Sequence, residues 1–344
     1  TICNIIGTDD DVKYVSDSIF ENKNGYKDLK ALTHRHYQIK KLYSQEINRL
    51  IGQCDCYFPE LQYVFEPNSA AFLAVLSSYP TTHDIINASK QEVFTTVYEA
   101  TKHRCSMDKI DKLFEYCHDT LVPPVSDYVR NVTINMVNSV ISIRAHIKSI
   151  EKEIKQLAST FQVYELLLTL TGCGPTTAAN IIAETGDIRR FKNADHFVSY
   201  SGSSPRNKRS GKSVEIMGKI SKKGSRYLRH ALYMIAEFGR RHNPILKHLF
   251  ERVKNGNKKR HKLAVIAVAN RIARYIFSII KNNSCFVITH ESLMKLPEET
   301  RNTFFNSISL DFPSNTRKQI YRFYDQYGEV HNFVYINISP ETIA

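Results

Sequence analysis

Between Ser126 and Leu170 the chain contains neither glycine nor proline, and Met136, Val140, Ile143, Ile147, Ile150, Ile154 and Leu157 recur there at alternating spacings of four and three. A half-buried strand alternates every second residue, so this spacing excludes a sheet and lays one apolar seam along a single long helix. Lys148, Glu151, Lys152, Glu153 and Lys155 solvate its outer faces. The seam reads either as a coiled coil or as a plain core helix. Its partner is either the helix expected from Asp28 to Ile51, with Leu29, Leu32, Ile39, Tyr43, Ile47 and Leu50 near one face, or a second subunit. A homo-oligomer through the coiled coil is therefore one expectation, and a mainly α fold is another.

Around this helix the punctuation is prolines. Pro59 closes a turn, and Pro67, Pro80 and the Pro123–Pro124 pair break residues 66–125 into several short helices. After Leu170 comes Thr-Gly-Cys-Gly-Pro-Thr-Thr-Ala178, then a helix that stops at Gly186. Gly172 and Gly174 permit a tight hairpin, and Pro175 suits the first turn of a helix. The segment reads either as a helix–hairpin–helix, whose free amides grip a phosphate, or as a simple helix corner. A loose, serine- and cation-rich stretch follows from Ser199 to Gly224. Beyond it lie two amphipathic helices, one burying Leu228, Leu232, Ile235 and Ala236, the other Val265, Val268, Ile272, Ile276 and Ile279. Asn255–Lys262 forms a basic loop between them. Residues 286–344 are mildly acidic, carry a strand-like Phe333–Ile338 and show no functional motif. The expected domains are 1–25, a helical coiled-coil connector over 26–160, a basic domain over 161–285 and an extension over 286–344.

The charge is unevenly placed. The 344-residue chain has a formal net charge of +13, yet residues 186–285 alone hold 24 Lys and Arg against Asp187, Asp195, Glu215, Glu237 and Glu251. One block carrying more than the whole net charge is the footprint of a nucleic-acid partner rather than of a surface of mixed sign. Other classes fall away. The 7 Cys have no paired spacing beyond Cys54 and Cys56, which excludes a zinc framework and makes a reducing, cytoplasmic setting the simplest. The apolar run Leu166–Ala183 is broken by Gly172, Gly174 and Pro175, and Leu263–Ile280 contains Asn270, Arg271 and Arg274, so no membrane partner is expected. Thr1–Ile6 is too short an apolar patch for a secretory leader, since Asp9, Asp10 and Asp11 follow at once. A first residue other than Met fits either Met removal or a missing front end.

Four strings occur in order: Leu170-Thr-Gly-Cys-Gly-Pro-Thr-Thr-Ala-Ala179, Ala183-Glu-Thr-Gly-Asp-Ile-Arg-Arg-Phe191, Tyr200-Ser-Gly-Ser-Ser-Pro205 with Ser210-Gly211, and Ile220-Ser-Lys-Lys-Gly-Ser-Arg-Tyr-Leu-Arg229. Together they resemble the C-terminal domain of the DEDD-type insertion-sequence transposases, the IS110 family, with the Piv invertases as relatives. The resemblance covers about residues 160–282, and residues 28–160 look like that family's coiled-coil connector. It implies DNA transposition and recombination on a mobile element, with DNA as partner and an element-encoded guide RNA in characterised members.

The same resemblance assigns the nucleophile to Ser210, attacking a phosphodiester to give a serine-linked intermediate. Arg206 and Arg209 would then stabilise the phosphate. The DNA-binding set would be Gly172, Gly174, Lys208, Lys212, Lys222, Lys223, Arg226, Arg229, Lys258, Lys259 and Arg260. Mg²⁺ is implied for a complete member, held by four acidic residues of an N-terminal RuvC-like domain. The segment ahead of the connector is too short for that domain, and residues 1–25 would be its remnant. Asp9 and Asp11 are the nearest counterparts of a metal-binding Asp pair. They lie two residues apart where the family's pair lies three apart, so the cluster reads equally as a helix N-cap. Two functions stay open: a transposase working through Ser210, and a catalytically incomplete remnant that keeps the grip alone. Nucleic-acid binding without Mg²⁺-dependent strand exchange is the expectation for residues 1–344 by themselves. A structural protein oligomerising through the coiled coil is a more distant rival.

Overall fold

The computed structural model describes residues 4–6, 13–15, 24–209, 215–284, 286–289, 295–298, 318–324 and 330–336. They hold thirteen α-helices and three small sheets, and divide into two compact units, Arg35–Lys152 and the remainder.

The Arg35–Lys152 unit is helical throughout. Helix α1 (Asn24–Tyr57) enters it at Arg35, followed by α2 (Leu61–Val64), α3 (Ala70–Ser78), α4 (Thr82–Asn87), α5 (Lys90–Ala100), α6 (Met107–His118) and α7 (Asp127–Ala158). Side chains set the helix starts. Ser69 and Ser89 accept the backbone amides of Phe72 and Glu92, and Thr81 with Asp84 closes a reciprocal capping box. Leu50, Phe58, Leu61, Phe72, Leu76, Ile85, Val97, Leu113, Val137 and Val140 form one buried core. Within this unit α1 and α7 run antiparallel. Gln53 Nε2 donates to Thr133 Oγ1 at 3.2 Å near one end, and His36 Nε2 meets Glu151 Oε1 at 2.9 Å near the other. Part of the α7 seam is thus used inside the chain.

Helix α7 is shorter than the sequence suggests. It stops at Ala158, where the Ser159 and Thr160 hydroxyls donate back to the carbonyls of Gln156 and Leu157. Such bonds compete with helix continuation, and a separate α8 (Val163–Leu168) starts afresh. The buried stripe is also rotated slightly from the expected seam. Thr133, Val137, Ile154 and Ala158 are fully covered, whereas Met136, Ile143 and Leu157 are half-buried.

The second unit contains residues 24–34 of α1, α8, α9 (Pro175–Thr185), α10 (Ala194–Ser201), α11 (Arg226–His242), α12 (Pro244–Lys254) and α13 (His261–Asn282). Helix α13 is its spine, packing against α8, α10, α11 and α12 through Ala264, Val265, Val268, Ile272 and Ile276. By length and composition the Lys258–Asn282 segment is apolar enough to cross a membrane, but half of that window is buried in the protein, as in a core helix. Helix α12 falls within what the sequence left unassigned between two helices. Asn243 starts it by accepting the amides of Ile245 and Leu246, with Pro244 in the first turn.

Short strands complete this unit. Strands β1 (Asn4–Ile6) and β2 (Lys13–Val15) pair antiparallel, with Asn4 opposite Val15. Strands β3 (Pro205–Arg209) and β4 (Glu215–Ile220) form an antiparallel hairpin inside the stretch expected to be loose. Near the C-terminus β5 (Val287–Thr289) pairs parallel with β6 (Lys318–Tyr324), which pairs antiparallel with β7 (Val330–Ile336).

Candidate nucleic-acid interface

The β3–β4 hairpin stands on a foot made by the segments on either side of it. Ser221 N donates to the Ser204 carbonyl at 2.9 Å, Lys222 N to the Gly202 carbonyl at 3.0 Å, and Ser225 N to the Tyr200 carbonyl at 3.0 Å. Two glycines make this approach possible. Gly202 caps α10 in the left-handed region with φ 69, and a Cβ there would lie 2.3 Å from the Lys223 carbonyl oxygen. Gly224 has φ 102, and its Cβ would fall 2.0 Å from the Tyr200 carbonyl oxygen. Only glycine tolerates both the torsion and the contact. The Tyr200–Pro205 and Ile220–Arg229 strings are thereby one structural object.

Beneath the foot lies Glu184, whose side chain is 2% exposed. His34 Nε2 lies 2.6 Å from its Oε1, Ser225 Oγ donates to its Oε2 at 2.5 Å, and Lys30 Nζ stands 3.8 Å away. A carboxylate taken out of water needs such donors to remain charged. Ser225 also accepts the Leu228 amide, so the same hydroxyl caps α11. The His34 ring stacks on Tyr227 at 3.7 Å, and Arg226 covers Tyr227 at 4.7 Å. Arg190 donates to the Glu184 carbonyl and lies over the Phe191 and Tyr200 rings. Glu184, Gly202, Gly224, Ser225 and Tyr227 all fall within the four strings, yet no function follows for them from spacing. Their shared role appears only once the chain is folded.

The two glycines of the α8–α9 turn differ. Gly172, with φ 87, faces inward: a Cβ there would meet Phe238 Cδ1 at 3.0 Å and the Ile235 carbonyl oxygen at 3.1 Å. It lets the turn sit on α11. Gly174 faces open space at the start of α9, where no side chain caps the helix.

Residues 164–251 match a family model described as "Transposase IS116/IS110/IS902 family". This segment spans α8 to α12 and contains the whole foot. Residues 164–251 are a transposase domain of the IS116/IS110/IS902 family. The chain is 23% identical to a protein of insertion element IS110 from Streptomyces coelicolor over 70% of this chain and 59% of that protein. It is 31% identical to the pilin gene-inverting protein of Moraxella bovis over 35% of this chain and 38% of the relative. With the transposase for insertion sequence element IS1328 of Yersinia enterocolitica the identity is 28%, over 41% and 42% respectively. The chain thus spans between about two fifths and three fifths of the length of these relatives.

Within the transposase domain, Arg206, Lys208 and Arg209 lie along β3, while Ser210 and Lys212 lie outside the described residues, between β3 and β4. Lys222, Lys223 and Arg226 are exposed at the foot, and Lys222 adopts a left-handed φ of 55. Arg229 reaches back from α11 and donates from Nη1 to the Ser201 carbonyl at 3.1 Å. Burial lowers its pKa from the ordinary arginine value. Just beyond the matched segment, Lys258, Lys259 and Arg260 form an exposed single turn ahead of α13. Asp9 and Asp11 fall between β1 and β2, outside the described residues. Among the described residues no group of three or more His, Cys, Asp or Glu is arranged to hold a metal ion. Those residues do not fit a Mg²⁺ site.

Proposed function

We propose that this chain handles nucleic acid in insertion-sequence recombination, with the transposase domain gripping DNA and the β3–β4 hairpin presenting Ser210 to the strand. The observation that carries this reading is the convergence of the Tyr200–Pro205 and Ile220–Arg229 strings at one cation-bearing foot, with Ser210 between β3 and β4 in the sequence. In the reaction the Ser210 hydroxyl gives up its proton as its oxygen bonds to phosphorus, the bond to one neighbouring deoxyribose oxygen breaks, and that oxygen takes up a proton and leaves as a hydroxyl, so no net proton is consumed. A phosphoserine ester remains, from which the strand is passed to a new hydroxyl. Charge building on the non-bridging oxygens calls for nearby cations, which Arg206 and Arg209 supply in this reading. The α8–α9 turn would act as a helix–hairpin–helix, with Gly174 open to the backbone of DNA.

The partners in this reading are DNA, an element-encoded guide RNA and further copies of the chain, in the cytoplasm. Exposed Tyr128 and Val132, one turn apart on α7, leave an apolar patch for a contact between copies. The test is a titration of labelled duplex DNA against salt. With six to ten phosphates contacted, affinity should fall by about 10³–10⁵ between 50 and 200 mM. Reversing Lys258, Lys259 and Arg260 should weaken binding equally for unrelated sequences, because phosphate contacts carry no base information. In the full recombinase Ser210→Ala should abolish the covalent protein–DNA adduct and leave affinity within a few fold. A flat salt response, or an adduct surviving Ser210→Ala, would defeat the reading.

A further inference from the structure

We propose that Arg229 is a seat for a phosphodiester oxygen at the foot of the β3–β4 hairpin, a specific contact resting on the nucleic-acid reading above.

The argument starts from where the acids of the basic block are spent. Of its five acidic residues, four are paired: Asp187 with Arg189 at 2.6 Å, Asp195 with Arg274 at 2.9 Å, Glu237 with Arg240 at 2.6 Å, and Glu251 with Lys254 at 3.5 Å; the fifth, Glu215, opens β4. Glu184, just ahead of the block, is taken by His34, Lys30 and Ser225. Arg229 has no carboxylate in reach among the described residues, and its one bond goes to a neutral acceptor, the Ser201 carbonyl. A guanidinium carries five N–H donors in a planar fork, so four remain. The nearby hydroxyls do not use them: Ser201 Oγ donates to the Val198 carbonyl at 2.7 Å, and the Ser203 and Ser201 hydroxyls close on each other at 2.6 Å.

The pocket for this fork is built rather than incidental. A Cβ on Gly202 would lie 2.6 Å from Arg229 Nη1, so the guanidinium occupies space that only glycine leaves. The bond to Ser201 fixes its orientation from behind. A half-buried, unpaired cation is costly to keep unless an anion completes it. Lys222, Lys223 and Arg226 are exposed around the same foot, which favours a polyanion over a lone carboxylate. The fork geometry of arginine suits two oxygens of one phosphate.

The test uses the whole chain, a labelled duplex of about 30 base pairs and salt from 50 to 200 mM, with melting curves for each variant. Arg229→Gln should weaken binding about tenfold and make the log–log salt slope shallower by about one. Arg229→Lys keeps the charge and one donor for the Ser201 carbonyl but loses the fork, so it should keep the slope and still bind several-fold more weakly. A purely structural arginine behaves differently: Arg229→Lys would then bind as wild type, and that result overturns the proposal. If Arg229→Gln fails to fold, Arg229→Lys alone decides. Wild-type protein that ignores salt would remove the nucleic-acid reading together with the seat. A salt-sensitive wild type with an unaffected Arg229→Lys removes only the seat.

Discussion

The Arg35–Lys152 unit and the basic block of the other unit differ most in how they treat charge. Residues 35–152 contain 13 Lys and Arg and 13 Asp and Glu, whereas residues 186–285 contain 24 against five. In the neutral unit, side chains close on one another. Arg130 pairs with Asp84 at 2.5 Å, and buried Glu60 accepts the Thr82 hydroxyl at 2.7 Å. In the basic block Asp187, Asp195, Glu237 and Glu251 are each paired with a cation, and Lys258, Lys259 and Arg260 stand exposed. Glycine follows the same division. Gly52 lies in helix α1 with nothing near its missing Cβ, whereas Gly202 and Gly224 are the only residues that fit the hairpin foot. In the first region charged side chains satisfy one another; in the second, under the nucleic-acid reading proposed above, exposed cations gather at a backbone crossing that tolerates no side chain.

That contrast can be broken in graded ways. The largest effect is expected in the neutral core, where Phe72 is 0% exposed. Phe72→Ala should cost about 3–5 kcal/mol by denaturant unfolding, while the salt dependence of DNA binding stays unchanged. Loss of DNA binding in a variant that still folds would show that the units do not divide function as argued. Next comes Gly224→Ala, which forces a Cβ onto the Tyr200 carbonyl at a positive φ. It should destabilise the transposase domain by about 2–4 kcal/mol and weaken DNA binding, with the neutral unit's transition unmoved in a melting curve.

Gly52→Ala has the opposite sign. With open space at that position inside a helix, it should stabilise by about 0.5–1 kcal/mol in the same measurement. A loss there would mean that the two glycines share a constraint. The smallest effect is the pH response of the neutral unit. Burial lowers the pKa of His36 from its ordinary value of 6.5, outweighing the Glu151 hydrogen bond that raises it. The unfolded chain therefore binds the proton more readily, so stability is present above pH 6.5 and falls as pH drops below it. His36→Gln should flatten the slope of melting temperature between pH 7.5 and 5.5. An unchanged slope would assign it to other groups.

Much of this was legible in one dimension. The four-and-three spacing from Met136 to Leu157 announces α7, because a helix repeats its face at that period whatever it packs against. Pro175 and Gly186 bracket α9 correctly, since a missing amide and a free φ act locally. The end of α7 was harder to read. Ser159 and Thr160 carry no strong breaker signal, and what stops the helix is their bonding back to the preceding turn. Helix α12 hid behind the basic loop because its start depends on the Asn243 side chain turning onto two amides.

What the sequence determined alone was the helical class, the concentration of positive charge and the ordered strings that mark the transposase domain. These follow from periodicity, composition and order, which need no contacts. Only the tertiary structure decided how the strings act together. It seats Glu184 under Ser225, crosses the backbone at Gly202 and Gly224, and leaves Arg229 facing no acid among the described residues. Those relations join residues 20 to 41 positions apart, and the physical reason they escape the sequence is that a buried carboxylate, a forbidden Cβ and a guanidinium without a carboxylate partner are defined by what surrounds them in space.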